Sequence, residues 1–206
     1  MANWCNNYIE VIGKTKEVKY YFSEMLESQK LANESDFGKC WLGNLLDYAG
    51  LANPYDTTSY NCRGYYSIDD EEMVMELDSE SEKEITLTIT AESAWDSCGD
   101  IFVEFAEAIN ADVQVYWTSE EFGNGYFETN DPEVAKTIVI DYQIDFDNDQ
   151  CPKLRELLDY GPNYGYTKEM FLEGLKKKNI ISEEINDFDK AIEILQEKVD
   201  IEVFYY

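Results

Sequence analysis

Histidine is absent from the 206 residues, and only 16 Lys and Arg stand against 44 Asp and Glu. The first absence removes the Ser-His-Asp and Cys-His arrangements, and with them the commonest general base at neutral pH. A glycosidase-type pair needs two carboxylates within ~10 Å, a separation that 44 acids meet by chance. No catalytic residue is assigned, and the chain reads as a non-enzyme without a cofactor. The shortage of cations leaves a formal net charge of -28. Such a surface gains no counterion release from phosphates and is repelled by anionic lipid, which excludes nucleic acid and membranes as direct partners. No apolar run approaches the ~20 residues that cross a bilayer, and Met1 to Asn7 has neither the basic nor the apolar region of a leader. The five cysteines are odd in number and form no C-x-x-C pair. That suits neither a disulfide framework nor a four-thiolate zinc site, so they read as reduced thiols of a cytoplasmic protein.

What is present argues for a folded chain. Hydrophobic residues make up 44% and aromatics 15% of it, with 16 Tyr, 10 Phe and 4 Trp, far from the composition of an acidic disordered tail. Alternation predicts a strand at Trp4 to Ile12, and Val18, Tyr21, Phe22, Met25 and Leu26 predict a helix over 17–28. Residues 29–61 read as an insertion with one short helix near Cys40 to Leu46. Strands are expected at 64–68, 73–77 and 84–91, the last two joined as a hairpin around Asp78 to Glu82. A helix at 101–109 and strands at 113–117 and 125–128, paired across Gly123-Asn124-Gly125, complete the series. The order β-α-ββ-α-β gives an α+β fold, the ferredoxin-like split βαβ antiparallel sheet with helices on one face. A C-terminal strand-helix extension follows: a strand at 137–146, helices at 152–160, 167–178 and 182–199, and a strand at 201–206. The division predicted is 1–131, an acidic domain, and 132–206, an extension or small subdomain. Residues 1–150 hold 32 acidic and 8 basic side chains against 12 and 8 in 151–206, so the acidity belongs to the first part.

Met1, Asn3, Trp4, Cys5 and Asn7 form a Met-x-Asn-Trp-Cys-x-Asn opening, and Ser93-Ala94-Trp95, a helix from Asp100, Tyr116 to Glu121 and Gly125-Tyr126-Phe127 follow. In these features residues ~1–130 resemble the YubB-type ferredoxin-like domain family of plasmids and phages. The chain departs from the family's Trp-Gly-Thr-Lys-Trp-like segment, where it has Cys62-Arg63-Gly64-Tyr65-Tyr66. The resemblance implies a fold and a mobile-element origin, and it supplies no active site.

Three groups of residues are candidate sites. The acids Asp69, Asp70, Glu71, Glu72, Glu76, Asp78, Glu80, Glu82 and Glu84 have Lys83 as the one cation among them. With 73–77 as a strand, Glu76 and Asp78 face outward ~6.6 Å apart, and the row either imitates a phosphate backbone before a basic protein or guards a sheet edge against aggregation. Tyr164 and Tyr166, in a Gly-rich loop, suit anchors of a protein interface. Asp145, Asp147, Asp149 and Glu156 have calcium-loop spacing, but Gln150 stands where the loop needs Gly, so a cation site and a solvated loop are both open. The function expected is that of a mobile-element-encoded acidic inhibitor of anti-CRISPR or antirestriction type, bound by charge mimicry to the basic nucleic-acid site of a host defence protein. The alternative is a small-molecule or cation-binding accessory module.

Overall fold

The computed structural model describes residues 4–33, 37–51, 63–68, 71–77, 81–121, 126–136, 138–142, 152–158, 163–197 and 201–204. Its contacts divide the chain into two compact units, Met1–Asp131 and Pro132–Tyr206.

In the first unit, β1 (Trp4–Lys14) leads into α1 (Thr15–Ser28), α2 (Leu42–Tyr48), β2 (Gly64–Ile68), α3 (Glu71–Glu76), β3 (Glu84–Ala94), α4 (Gly99–Ala108), β4 (Val113–Glu121) and β5 (Tyr126–Thr129). The five strands form one sheet in the order β2-β3-β1-β4-β5, every pair antiparallel. Alternation puts Cys5, Asn7, Ile9 and Val11 of β1 on the buried face with Leu87, Ile89 and Ala91 of β3 and Val115 and Trp117 of β4. Against that face α1 lays Val18, Tyr21, Phe22 and Met25, and α4 lays Ile101, Phe102 and Phe105, all buried. The spacing of each set gives one apolar stripe per helix. Tyr21 meets Phe105 edge to face at 5.4 Å and donates its hydroxyl to the Phe102 carbonyl at 3.2 Å, so the hydroxyl of this fully buried ring is satisfied.

A buried amide fastens the layers. Asn7 is 1% exposed. Its Nδ2 donates to the Cys5 carbonyl (2.9 Å), the Ala91 carbonyl (3.3 Å) and Ser93 Oγ (2.9 Å), while its Oδ1 accepts from Ser119 Oγ (2.6 Å) and the Cys98 N–H (3.0 Å). One side chain thereby ties β1, β3, β4 and the entry to α4. At that entry Gly99 lies against the indole of Trp117, and a Cβ there would fall 2.1 Å from Trp117 Cδ2, so any larger residue forces helix and strand apart.

One expectation is overturned. Residues 71–76 form a helix, not a strand, and β3 pairs with β2 where a hairpin with 73–77 was expected. Glu, Met and Leu dominate 71–77 with Val74 as the single β-branched residue, a composition that favours helix, and β2 already occupies the outer edge of β3. Lys19 Nζ donates to the Met75 and Leu77 carbonyls at the helix end, where cations are favoured.

The second unit carries β6 (Ile138–Tyr142), α5 (Pro152–Arg155), β7 (Asn163–Tyr166), α6 (Lys168–Lys177), α7 (Phe188–Gln196) and β8 (Ile201–Phe204), with an antiparallel sheet in the order β7-β6-β8. Its core gathers Leu154, Leu158, Phe171, Leu175, Ala191, Leu195 and Ile201. Thr167 and Asp187 cap α6 and α7 by accepting the N–H groups of Met170 and Lys190.

Replacing the buried amide is expected to be costly. Asn7→Ala strands the Cys98 N–H in a dry site and takes one partner each from Ser93 and Ser119, which keep the Asp96 carbonyl and Ser97 Oγ, and should lower stability by about 3 kcal/mol; urea unfolding measures it, and a loss below ~1 kcal/mol refutes the clamp. Cys5, Cys40 and Cys98 are free thiols, and burial pushes Cys5 and Cys98 up to about 12. Titration with a thiol reagent at pH 8 should therefore miss Cys5 and Cys98 in the native protein and reach five thiols in denaturant without reductant. Fewer than five in denaturant overturns the reading of reduced thiols.

Candidate functional site

The helices of the first unit bury one face of its sheet, and the opposite face carries the other half of each strand's alternation. Strand register aligns this face in rows. One row is Tyr65–Glu92–Asn6–Glu120–Phe127, the next Ser67–Thr90–Tyr8–Thr118–Thr129, and a third Thr88–Glu10–Tyr116. None of the three rows holds a Lys or Arg. Tyr8 is 46% exposed, Tyr65 47% and Trp4 47%. Exposed aromatics of this size side by side mark a contact surface.

Between Tyr8 and Tyr65 the face is hollowed into an open groove of about 350 Å³, lined by Asn6, Ser67, Thr90 and Glu92 besides the two tyrosines. Its charged lining residue is Glu92, an exposed carboxylate.

Trp95 stands where β3 ends, 56% exposed, with φ at +77°. A bulky residue in the left-handed region is strained and persists only where its surroundings hold it. Ser93 does so: its Oγ accepts from Asn7 Nδ2 and donates to the Asp96 carbonyl at 2.6 Å, closing the turn beneath Trp95. Since Ala94 pairs with Trp4, the two tryptophans lie at the same end of the sheet. The sequence motif residues thus separate into two roles, with Cys5, Asn7 and Ser93 inside and Trp4 and Trp95 presented outward.

Glu120 is the exception on this face. It is 6% exposed, its Oε2 is buried without a hydrogen-bond partner, and Oε1 accepts a long hydrogen bond from the Tyr8 hydroxyl at 3.4 Å. Loss of hydration raises its pKa from 4.5 to about 7, and the Tyr8 hydrogen bond opposes the rise. The same burial, with the Glu120 charge beside it, raises Tyr8.

The residues singled out in the sequence fare differently. Asp69, Asp70, Asp78 and Glu80 lie outside the described residues, as do the side chains of Glu71 and Glu72. Glu76 is exposed at the end of a helix, so the outward row built on a strand at 73–77 does not exist. Glu82 forms ion pairs with Lys14 and Lys16, and Lys14 holds its carboxyl below the usual range; Glu84 sits on β3 directly opposite Lys14. Lysines thus answer the acids at this end of the run. Tyr164 and Tyr166 belong to β7 and not to a loop. Tyr166 is half-buried, donates to the Leu157 carbonyl at 2.9 Å and packs on Phe171 at 6.0 Å, a core contact where an interface anchor was expected. Asp145, Asp147 and Asp149 lie outside the described residues. Glu156 is ion-paired with Lys178 at 2.9 Å, and no group of three metal-ligating side chains occurs among the described residues. Tyr8, Tyr65, Glu10, Glu92 and Glu120 escaped the sequence reading, although the alternation from Trp4 to Val11 already puts the first and third of them on the uncovered side.

No family model, curated protein or solved structure matches the chain. Among the described residues no helix is long and apolar enough to cross a membrane.

Glu120 makes a pH-dependent contribution with a definite sign. Its folded pKa lies above the unfolded value, so the native state holds the extra proton and the stability this brings is complete below pH 4.5 and lost as pH rises to about 7. Unfolding measured at pH 5 and pH 8 should give a more stable protein at pH 5. Glu120→Gln should remove about 2–3 kcal/mol of that difference; an unchanged difference in the variant would show that the carboxyl is hydrated.

Proposed function

We propose that this chain is a non-enzymatic acidic inhibitor, carried by a phage or plasmid, that occupies the basic nucleic-acid site of a host defence protein such as a CRISPR effector or restriction enzyme in the host cytoplasm. The observation that carries the proposal is the uncovered sheet face, on which exposed aromatics alternate with carboxylates and three successive rows hold no cation. A nucleic-acid site offers Lys and Arg for phosphates and flat apolar surfaces for bases. Glu10 and Glu92 answer the first, and Tyr8, Tyr65, Trp4 and Trp95 answer the second. The unit that bears the face holds 27 acidic and 7 basic side chains, which steers a basic partner toward it over a distance set by ionic strength. The course β1-α1-β2-β3-α4-β4, with β3 between β1 and β2 and β1 between β3 and β4, supports a ferredoxin-like reading of this unit, in keeping with the YubB-type opening at Asn3 to Asn7.

The test uses the chain as bait in host lysate and then the captured protein in purified form. Binding should weaken roughly 10-fold or more between 50 and 200 mM salt, and duplex DNA should displace the chain from its partner. A triple variant Glu10→Gln, Tyr65→Ser, Glu92→Gln should lose at least ~10-fold in affinity while keeping its unfolding midpoint, since exposed groups contribute little to stability. A partner without a basic nucleic-acid site, or full binding by the triple variant, overturns the proposal.

A further inference from the structure

We infer that the groove between Tyr8 and Tyr65 is a slot for a guanidinium group, the side chain of an arginine on the basic partner. This rests on the reading of the uncovered face as the docking surface and names its recognition chemistry.

The shape of the groove comes from strand geometry. Tyr65 stands on β2 and Tyr8 on β1, with β3 between them and one row of the face apart, so their backbones lie about 9.5 Å apart across the strands and about 7 Å along them. Within that span Tyr65 stands directly beside Glu92 on the neighbouring strand, so a group held by the carboxylate meets the Tyr65 ring. A planar cation bound there can stack flat on the ring, which a tetrahedral ammonium cannot do.

The polar lining chooses among planar ligands. Asn6, Thr90, Ser67 and Glu92 bring a side-chain carbonyl, two hydroxyls and a carboxylate to the groove. Within the described protein these four side chains make no hydrogen bond, so their capacity is unspent. A guanidinium has five N–H donors in one plane, no acceptor and a permanent charge. It can stack on the Tyr65 ring and direct N–H groups to the Glu92 carboxylate and the Asn6 carbonyl at once. A nucleotide would bring its phosphate against Glu92 with no cation among the described lining residues to receive it. The Tyr8 hydroxyl donates to Glu120 on β4, on the side of β1 away from β2, so this ring stands at the margin of the groove.

Three capped tripeptides, Gly-X-Gly with X as arginine, lysine or citrulline, test the slot by NMR titration of the full chain, read at the ring signals of Tyr8 and Tyr65. Citrulline keeps the planar shape and removes the charge. Arginine should shift both rings saturably, with affinity about 10-fold above citrulline and about 3-fold above lysine. Glu92→Gln should cut arginine affinity about 10-fold, Tyr65→Ser should abolish the preference for arginine, and Tyr65→Phe should restore it. Unchanged backbone amide spectra show that each variant is folded. Equal affinity for the three peptides, an absence of saturable shifts, or stronger binding of free adenine than of the arginine peptide overturns the inference. The two proposals fail separately. If the peptide shows no preference but the triple variant still loses its partner, the face is the docking surface and the slot is wrong; if arginine binds as described while the triple variant keeps its partner, the slot stands and the docking surface lies elsewhere.

Discussion

Everything on the uncovered face depends on the amide of Asn7. A carboxamide buried to 1% exposure is tolerated only when fully paired, and here its partners come from β1, β3, β4 and the first turn of α4. Apolar packing against the sheet would hold α4 in several neighbouring registers at similar energy. The hydrogen bond from the Cys98 N–H to Asn7 selects one of them, because any slide leaves a donor and an acceptor dry. That register sets Gly99 against Trp117 and closes the buried face. Through Ser93 the same network reaches the turn that holds Trp95 in its left-handed conformation. The strain at Trp95 is thus supported from inside the core, while its indole stands in solvent.

The acidity of the chain has two physical settings. At one end of the sheet Lys14, Lys16 and Lys19 meet Glu82 and the carbonyl end of α3, so charge there is spent on holding the segment around α3 to the body of the unit. On the open face Glu10 and Glu92 form no ion pair among the described residues, and Glu120 has exchanged hydration for burial beside Tyr8. Exposed carboxylates without partners are cheap in water and become valuable only when a cationic surface excludes that water. Where the acidic run is described it meets lysines, whereas Glu10 and Glu92 stand on the strands of the open face.

Much of the fold was legible because it is written in short-range periodicity. Trp4 to Val11 alternates, and Val18 to Met25 repeats at helical spacing, so β1 and α1 follow from the residues alone. The segment 73–77 shows the limit of the same local signal: five residues hold too little periodicity to separate a strand from a turn of helix, and the deciding fact, that β2 already pairs with the edge of β3, lies in residues 64–68 and 89–93 on either side of it. Tyr166 misled in a similar way. A tyrosine beside glycines suggests a loop anchor until Leu157 and Phe171 arrive from elsewhere to enclose it.

By itself the sequence determined the class of the molecule: an acidic, histidine-free α+β chain whose strands and helices are set largely by local pattern. Composition acts through long-range charge and average burial, which need no coordinates. Tertiary structure decided which side of the sheet the helices leave open, that Asn7 is a clamp and Trp4 is surface, and that Tyr8, Tyr65 and Glu92 share one groove although 57 and 27 positions separate them along the chain. Strand pairing brings distant residues together through hydrogen bonds of the backbone, which every residue carries alike, so the juxtaposition leaves no mark in the side chains that it unites.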